Sequence, residues 1–191
     1  MKTKNLNSIV LFALIFCLTS FVHSQSKVKA QKEKVKTEAV ESQSDIMTFL
    51  KSSRSHTILV KAIEASGLSE KLAGEGAYTL FAPTDDAFGK LPEGTLKSLL
   101  KPENKEKLKA ILAYHIIPGN FNSAEIVKAI ENNNGESDFR TLNEKSISAY
   151  TKDGILVLTG VDGKDSEVEI SDKQQTNGYV HVVNAVMLAN E

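Results

Sequence analysis

The ten residues Thr79-Leu-Phe-Ala-Pro-Thr-Asp-Asp-Ala-Phe88 compress a strand, a stop and a helix start into one elbow, and such an elbow must be embedded in a folded domain. Tyr78 to Ala82 has the apolar, β-favouring composition of a strand. Pro83 lacks the N–H that a central ladder requires, so the strand should stop there. Thr84 carries the side-chain oxygen that caps a helix. Asp85 and Asp86 then put carboxylates in its first turn, near the positive end of the helix dipole. Ala87, Phe88 and Leu91 follow as an apolar stripe at helical spacing.

Upstream of the elbow, Ile46, Phe49 and Leu50, then Leu59, Ala62 and Ile63, recur at helical spacing and close at Ser66-Gly67, where Gly67 suits a helix C-cap. Downstream, Pro92 interrupts, Thr95 to Leu100 makes a short apolar turn, and Pro102 restarts a helix through Leu108, Ile111 and Leu112. Pro118-Gly119 ends that segment. Ser123 is placed to cap another helix bearing Ile126, Val127 and Ile130, which runs out at Asn132-Asn-Asn-Gly135. The period then changes. Ile147 with Ala149, Ile155 to Leu158, and Val168 with Ile170 read as strands separated by the hairpin dipeptides Asp153-Gly154 and Asp162-Gly163. Asn177-Gly178 reads as a third such turn before Tyr179 to Leu188, which is apolar on both faces like a strand buried on both sides. Helices first and antiparallel strands after, with Tyr78 to Ala82 joining the sheet from far away, make an α+β plan.

Lys2 and Lys4 precede the apolar run Ile9 to Val22, and the small Ser24 stands just beyond it, the pattern of a secretory signal peptide over residues 1–24. The run is short for a membrane span and has no charged flank immediately after it, which argues against an uncleaved anchor. Cys17, the single cysteine, lies inside this run, so a cleaved chain has no disulfide. Lipidation at Cys17 would call for a small residue before it, where the bulky Phe16 stands. Residues 25–44 hold five lysines and three glutamates with few apolar residues, and read as a solvated linker rather than a polyanion-binding arm. The domain is then expected over 45–191. A formal charge of -1, with both signs interleaved, gives no field to draw nucleic acid.

Chemistry has little to stand on. Once His23 leaves with the leader, His56, His115 and His181 remain, and they share no metal-ligand spacing. Asp162-Gly-Lys-Asp165 is too short for a calcium loop and reads as a turn. There is no Gly-x-Ser-x-Gly elbow, and Gly74-Glu-Gly76 lacks the third glycine of a dinucleotide loop. Asp85 and Asp86 could share a proton, but a helix start accounts for both more simply. No metal, no cofactor and no catalytic residue are expected.

Tyr114-His-Ile-Ile-Pro-Gly119 and Gly178-Tyr-Val-His-Val-Val-Asn-Ala-Val-Met-Leu188 follow the elbow in order, and Ala65-Ser-Gly-Leu-Ser-Glu-Lys-Leu72 leads into it. Together these segments resemble the fasciclin-like domain family over about residues 45 to 189. The resemblance implies an antiparallel or mixed β-sheet wedge with several α-helices packed around it, and an extracellular adhesion or interaction module that is not an enzyme. It also marks Thr79, Phe81, Ala82, Pro83, Thr84, Asp85, Ala87, Phe88, Pro118, Gly119, Gly178, His181, Val182 and Asn184 as signature positions, mainly structural. The family commonly has an acidic residue where this chain has Asn184.

Within the family, the region of the Tyr114-His115 dipeptide is implicated in adhesion through cell-surface receptors, which makes Tyr114 and His115 the binding candidates. A second reading stands beside it. His115 falls at i+7 from Leu108 and i+4 from Ile111, so a continued helix would aim it inward to bond backbone. His181 shares this ambiguity between core group and site. No Asn-x-Ser/Thr sequon and no Arg-Gly-Asp triplet occur, so integrin-type recognition is not expected. The expected function is that of a secreted module, in the periplasm, at the cell surface or outside, binding an extracellular or cell-envelope protein or polysaccharide. The alternative is a carrier holding a small apolar ligand in a cleft between helices and sheet.

Overall fold

A computed structural model describes residues 44–188; the expected leader over 1–24, with Cys17 and His23, and the linker up to residue 43 lie outside the described residues. Asp45 accepts the Thr48 N–H at 2.7 Å and so caps α1 (Ile46–Ser52). Helix α2 (Thr57–Ser66) ends in Gly67 at φ 79, where the N–H groups of Gly67 and Leu68 return to the carbonyls of Glu64 and Ile63. This is the left-handed cap that the glycine suits. After α3 (Ser69–Ala73) come β1 (Tyr78–Pro83) and α4 (Asp85–Gly89), joined by Thr84, whose Oγ1 accepts the Ala87 N–H at 3.2 Å. Helix α5 (Thr95–Leu99), a 3-10 turn (Pro102–Asn104) and α6 (Lys105–Tyr114) lead to β2 (Ile116–Pro118) and α7 (Ser123–Asn132). The remaining strands are β3 (Glu136–Arg140), β4 (Ser146–Lys152), β5 (Ile155–Thr159), β6 (Asp165–Gln175) and β7 (Gly178–Val183).

The strands form one sheet in the order β2-β1-β7-β6-β5-β4-β3. Only β1 and β7 run parallel; every other neighbouring pair is antiparallel. The α+β class and the mixed sheet with surrounding helices are therefore as expected. The sheet curls nearly into a barrel, and the loop after β3 reaches back to β2 through Leu142 N–H to Ile116 O at 2.8 Å.

Strand β1 is buried on both faces. Leu80 and Ala82 join Leu50, Leu59, Ile63, Leu108 and Val180 in one cluster; Phe81 joins Tyr114, Ile126, Ile130, Ile147 and Val183 in another. These side chains fill the interior on either side of β1.

Several local expectations are corrected. The cap of α7 is Asn122, not Ser123: Asn122 Oδ1 accepts Glu125 N–H and Glu125 Oε2 accepts Asn122 N–H, both at 2.9 Å, a reciprocal box. Ser123 instead turns to Asp172, giving its N–H at 2.6 Å and its hydroxyl to that carboxylate. The turn before β7 is Thr176-Asn177, because Gln175 pairs with Gly178 across it. Asn177 is a buried latch, accepting Ile46 N–H and donating to the carbonyls of Leu72 and Gly74. Strand β7 ends at Val183 rather than Leu188. Pro83 remains paired with Val183 because its missing N–H faces the β2 side, where pairing has already stopped at Leu80. Strand β3 is a further strand that apolar periodicity does not announce.

Candidate functional site

The three signature segments become three adjacent strands. Leu80 of β1 lies opposite Ile116 of β2 and Val180 of β7, so residues far apart in sequence share one ladder. Gly178 is required there. Its φ is 151, and a Cβ at this position would stand 1.7 Å from the Tyr78 carbonyl oxygen. Thr79 is fully buried and bridges the chain after β2: its Oγ1 donates to Gly119 O and accepts Phe121 N–H, both at 2.9 Å. Gly119, at φ 119, leaves room for the Phe121 ring, while Pro118 is exposed. Ala82, Ala87, Phe88 and Val182 are core residues.

Asp85 does more than begin its own helix. Its carboxylate reaches α2, accepting Ile58 N–H at 2.8 Å, Thr57 Oγ1–H at 2.7 Å and Thr57 N–H at 3.2 Å. It therefore caps a helix whose own preceding residue, His56, offers no side-chain cap. Partial burial pushes its pKa up, but the bonds from Ile58 and Thr57, with nearby His56, outweigh that and hold it below the usual value. Asn184 is equally committed. Its Oδ1 accepts Glu167 N–H and its Nδ2 donates to Glu167 Oε2, each at 3.0 Å. An acidic residue there would face Glu167 carboxylate to carboxylate, which gives the amide a local reason in this chain.

Tyr114 and His115 are interior groups, each 0% exposed. The Tyr114 hydroxyl donates to Ser146 O at 2.9 Å and accepts Val161 N–H at 3.0 Å, tying α6 to β4 and to the β5–β6 turn. Burial raises its pKa. His115 Nε2 accepts Met187 N–H at 3.0 Å, which fixes the other proton on Nδ1, 2.8 Å from Ile111 O. Burial lowers its pKa to about 4, the Ile111 bond opposing only in part. His181 is also unexposed: Nδ1 accepts Asp172 N–H at 3.3 Å and Nε2 donates to Phe121 O at 3.0 Å, while its ring stacks on Phe81 with centroids 5.5 Å apart. Its pKa is lowered by burial. A partner touching the folded surface does not reach either binding candidate.

Clefts open on the surface among the described residues, one of them a small, mainly apolar cavity of about 190 Å³ that Ala87, Leu91, Pro92, Val186, Met187 and Leu188 line, the size of a small ligand at most. A polar one of about 270 Å³ is lined by Arg54, Ser55, Thr84, Asp85, Asp86, Lys90, Glu169 and Asn184. An open groove of about 480 Å³ runs between β2 and β3, with Ile117, Phe121, Phe139 and Leu142 on its floor and Asp138, Arg140 and Glu144 on its rim. Among the described residues no group of three or more His, Cys, Asp or Glu is arranged to hold a metal ion, and no helix is long and apolar enough to cross a membrane.

A helical layer wrapped on a nearly closed mixed sheet, with Thr79, Tyr114, His115 and His181 turned inward, defines a scaffold domain. The fasciclin domain profile matches residues 54–189, and the chain belongs to the fasciclin-domain family. Protein sll1483 of Synechocystis is 36% identical over 150 residues, 78% of this chain and 76% of that protein; sll1735 of the same organism is 32% identical over 144 residues, 75% and 97%. The transforming growth factor-beta-induced protein ig-h3 of Sus scrofa is 32% identical over 142 residues, which cover 74% of this chain but 19% of ig-h3. The FAS1 domain pair of the insect cell adhesion molecule fasciclin I has the same fold, with TM-score 0.69 and 21% identity over 77% of this chain and 51% of that one.

Proposed function

We propose that this protein is an exported, non-enzymatic adhesion module that binds an extracellular or cell-envelope protein or polysaccharide through its exposed surface. The observation that carries this reading is how the fold uses its reactive side chains. Tyr114, His115 and His181 each exchange hydrogen bonds with backbone groups on both sides, which leaves them no free atom for substrate. Membership of the fasciclin-domain family, and likeness in fold to a cell adhesion molecule, point the same way. Contact of this kind draws on buried area and hydrogen bonds rather than on turnover.

The test compares surface attachment and aggregation of cells that carry or lack the protein, with re-addition of the purified full chain. Deletion should reduce attachment, and the added chain should restore it. Attachment unchanged by deletion would sink the proposal. The mass of the exported protein checks the expected cleavage near Ser24 or Gln25.

A further inference from the structure

The adhesion reading leaves its contact surface unassigned, and the distribution of exposed charge supplies one. From Lys97 to Lys109 the chain holds five lysines and two glutamates, a local charge of +3 in a chain whose total is -1. Lys97, Lys101, Lys105 and Lys109 recur every fourth residue across α5, the 3-10 turn and α6, and all four are exposed. Lys105 and Lys109 stand one above the other on α6, about 6 Å apart along its axis, while the row bends at Lys101, whose backbone is extended. The opposite side of the same segment is anchored, with Leu99, Leu108, Ile111 and Leu112 buried.

Among the described residues, none of these four lysines sits in an ion pair, whereas Lys51, Arg140 and Lys164 each have a carboxylate partner. Like charges at this spacing oppose helix formation. Lys105 and Lys109 therefore repel each other within α6, and a bound anion would relieve that repulsion. Beyond Glu103 and Glu106 within the segment, Glu136, Asp138, Asp165, Glu167 and Glu169 are exposed on the strands β3 and β6. A polyanion approaching this nearly neutral molecule is turned away from those strands and toward the helices.

The shape of the row selects among polyanions. Its charges are spread along one continuous segment from α5 to α6, which suits a linear polymer. Residues 95–110 contain no aromatic side chain on which bases could stack, and Leu100 is the exposed large hydrophobic of this stretch, too little for insertion into a bilayer. We infer that the lysine row Lys97, Lys101, Lys105 and Lys109 is the contact surface and that it binds a linear acidic polysaccharide along its length. The inference rests on the adhesion reading and names its partner class.

Its test is binding of the full chain to immobilised polygalacturonate and dextran sulfate, with neutral dextran as reference, at low and physiological salt. The variant Lys97→Gln/Lys101→Gln/Lys105→Gln/Lys109→Gln should bind about tenfold more weakly or worse, and with a flatter salt dependence, because four ion-releasing charges are gone. Lys61→Gln/Lys71→Gln/Lys128→Gln/Lys152→Gln, which removes the same charge from other exposed positions, should stay within about twofold of the unmodified chain. Thermal midpoints confirm that both variants fold. Equal weakening by the two variants would overturn the row as the site. No binding of the unmodified chain to either polymer would overturn the inference, while the attachment assay decides the adhesion reading separately. Tighter binding to single-stranded DNA or to anionic lipid vesicles than to either polysaccharide would overturn the choice of partner.

Discussion

Acid should destabilise this domain through His115, and the size of the effect follows from its surroundings. Both ring nitrogens are committed, one to Ile111 O and the other to Met187 N–H, so a second proton would meet a donor rather than an acceptor. Burial accordingly holds the folded pKa at about 4, against 6.5 when the ring is free. The unfolded chain therefore binds a proton in the interval between these values while the native chain does not. Stability is complete above the unfolded value, falls as pH drops below it, and stops falling below the folded value. From pH 7 to pH 5, His115 alone should remove about 2 kcal/mol, or about 4–8 °C of thermal midpoint for a domain of this size. His181 and His56, both lowered by burial, act in the same direction. The assay is thermal unfolding by circular dichroism at the two pH values, for the unmodified chain and His115→Gln. Glutamine offers one donor and one acceptor but does not titrate. The variant starts less stable at neutral pH, and its acid-induced drop should be smaller by most of that amount. An equal drop in both proteins would refute the assignment of this proton to His115.

Gly178→Ala should leave little soluble folded protein, since its Cβ would overlap the Tyr78 carbonyl and its backbone lies at positive φ; a loss above about 4 kcal/mol is expected, read as soluble yield and loss of the circular dichroism signal. Asp85→Ala uncaps α2 and should cost about 1–2 kcal/mol in urea unfolding, with Asp85→Asn recovering part of it. Because that carboxylate is held below its usual pKa, its contribution is present above about pH 4 and fades as pH falls further. Tyr114→Phe leaves Ser146 O and Val161 N–H without the phenol and should lower stability by about 1–3 kcal/mol while leaving partner binding intact.

The elbow was legible because its determinants are local. A proline, a capping threonine and an apolar stripe within a dozen residues fix a strand end and a helix start without help from the rest of the chain. The long-range use of Asp85 was not legible, because its partners Thr57 and Ile58 lie on another helix and nothing in the spacing joins them. Helical spacing did indicate that His115 could point inward, but its second partner, Met187, is 72 positions away. Strand β3 was missed because its inward residues are Ser137 and Phe139, and one aromatic within five residues makes no visible alternation. Asn177-Gly178 mimics a hairpin dipeptide, yet Asn177 serves as a latch and Gly178 as the first residue of a strand. The lysine row is plain in the sequence, but Pro102 divides it, and only the fold shows its members exposed along one segment.

If the signature residues are scaffold and contact is made outside them, stability and adhesion should separate. The decisive measurement is attachment of cells to the immobilised full chain, well below every thermal midpoint, for Tyr114→Phe, His115→Gln and the four-lysine variant. Attachment should persist in the first two, despite their lowered midpoints, and fail in the third, whose midpoint is not lowered. Loss of attachment in folded Tyr114→Phe or His115→Gln, with the lysine variant still adhering, would contradict this division of roles.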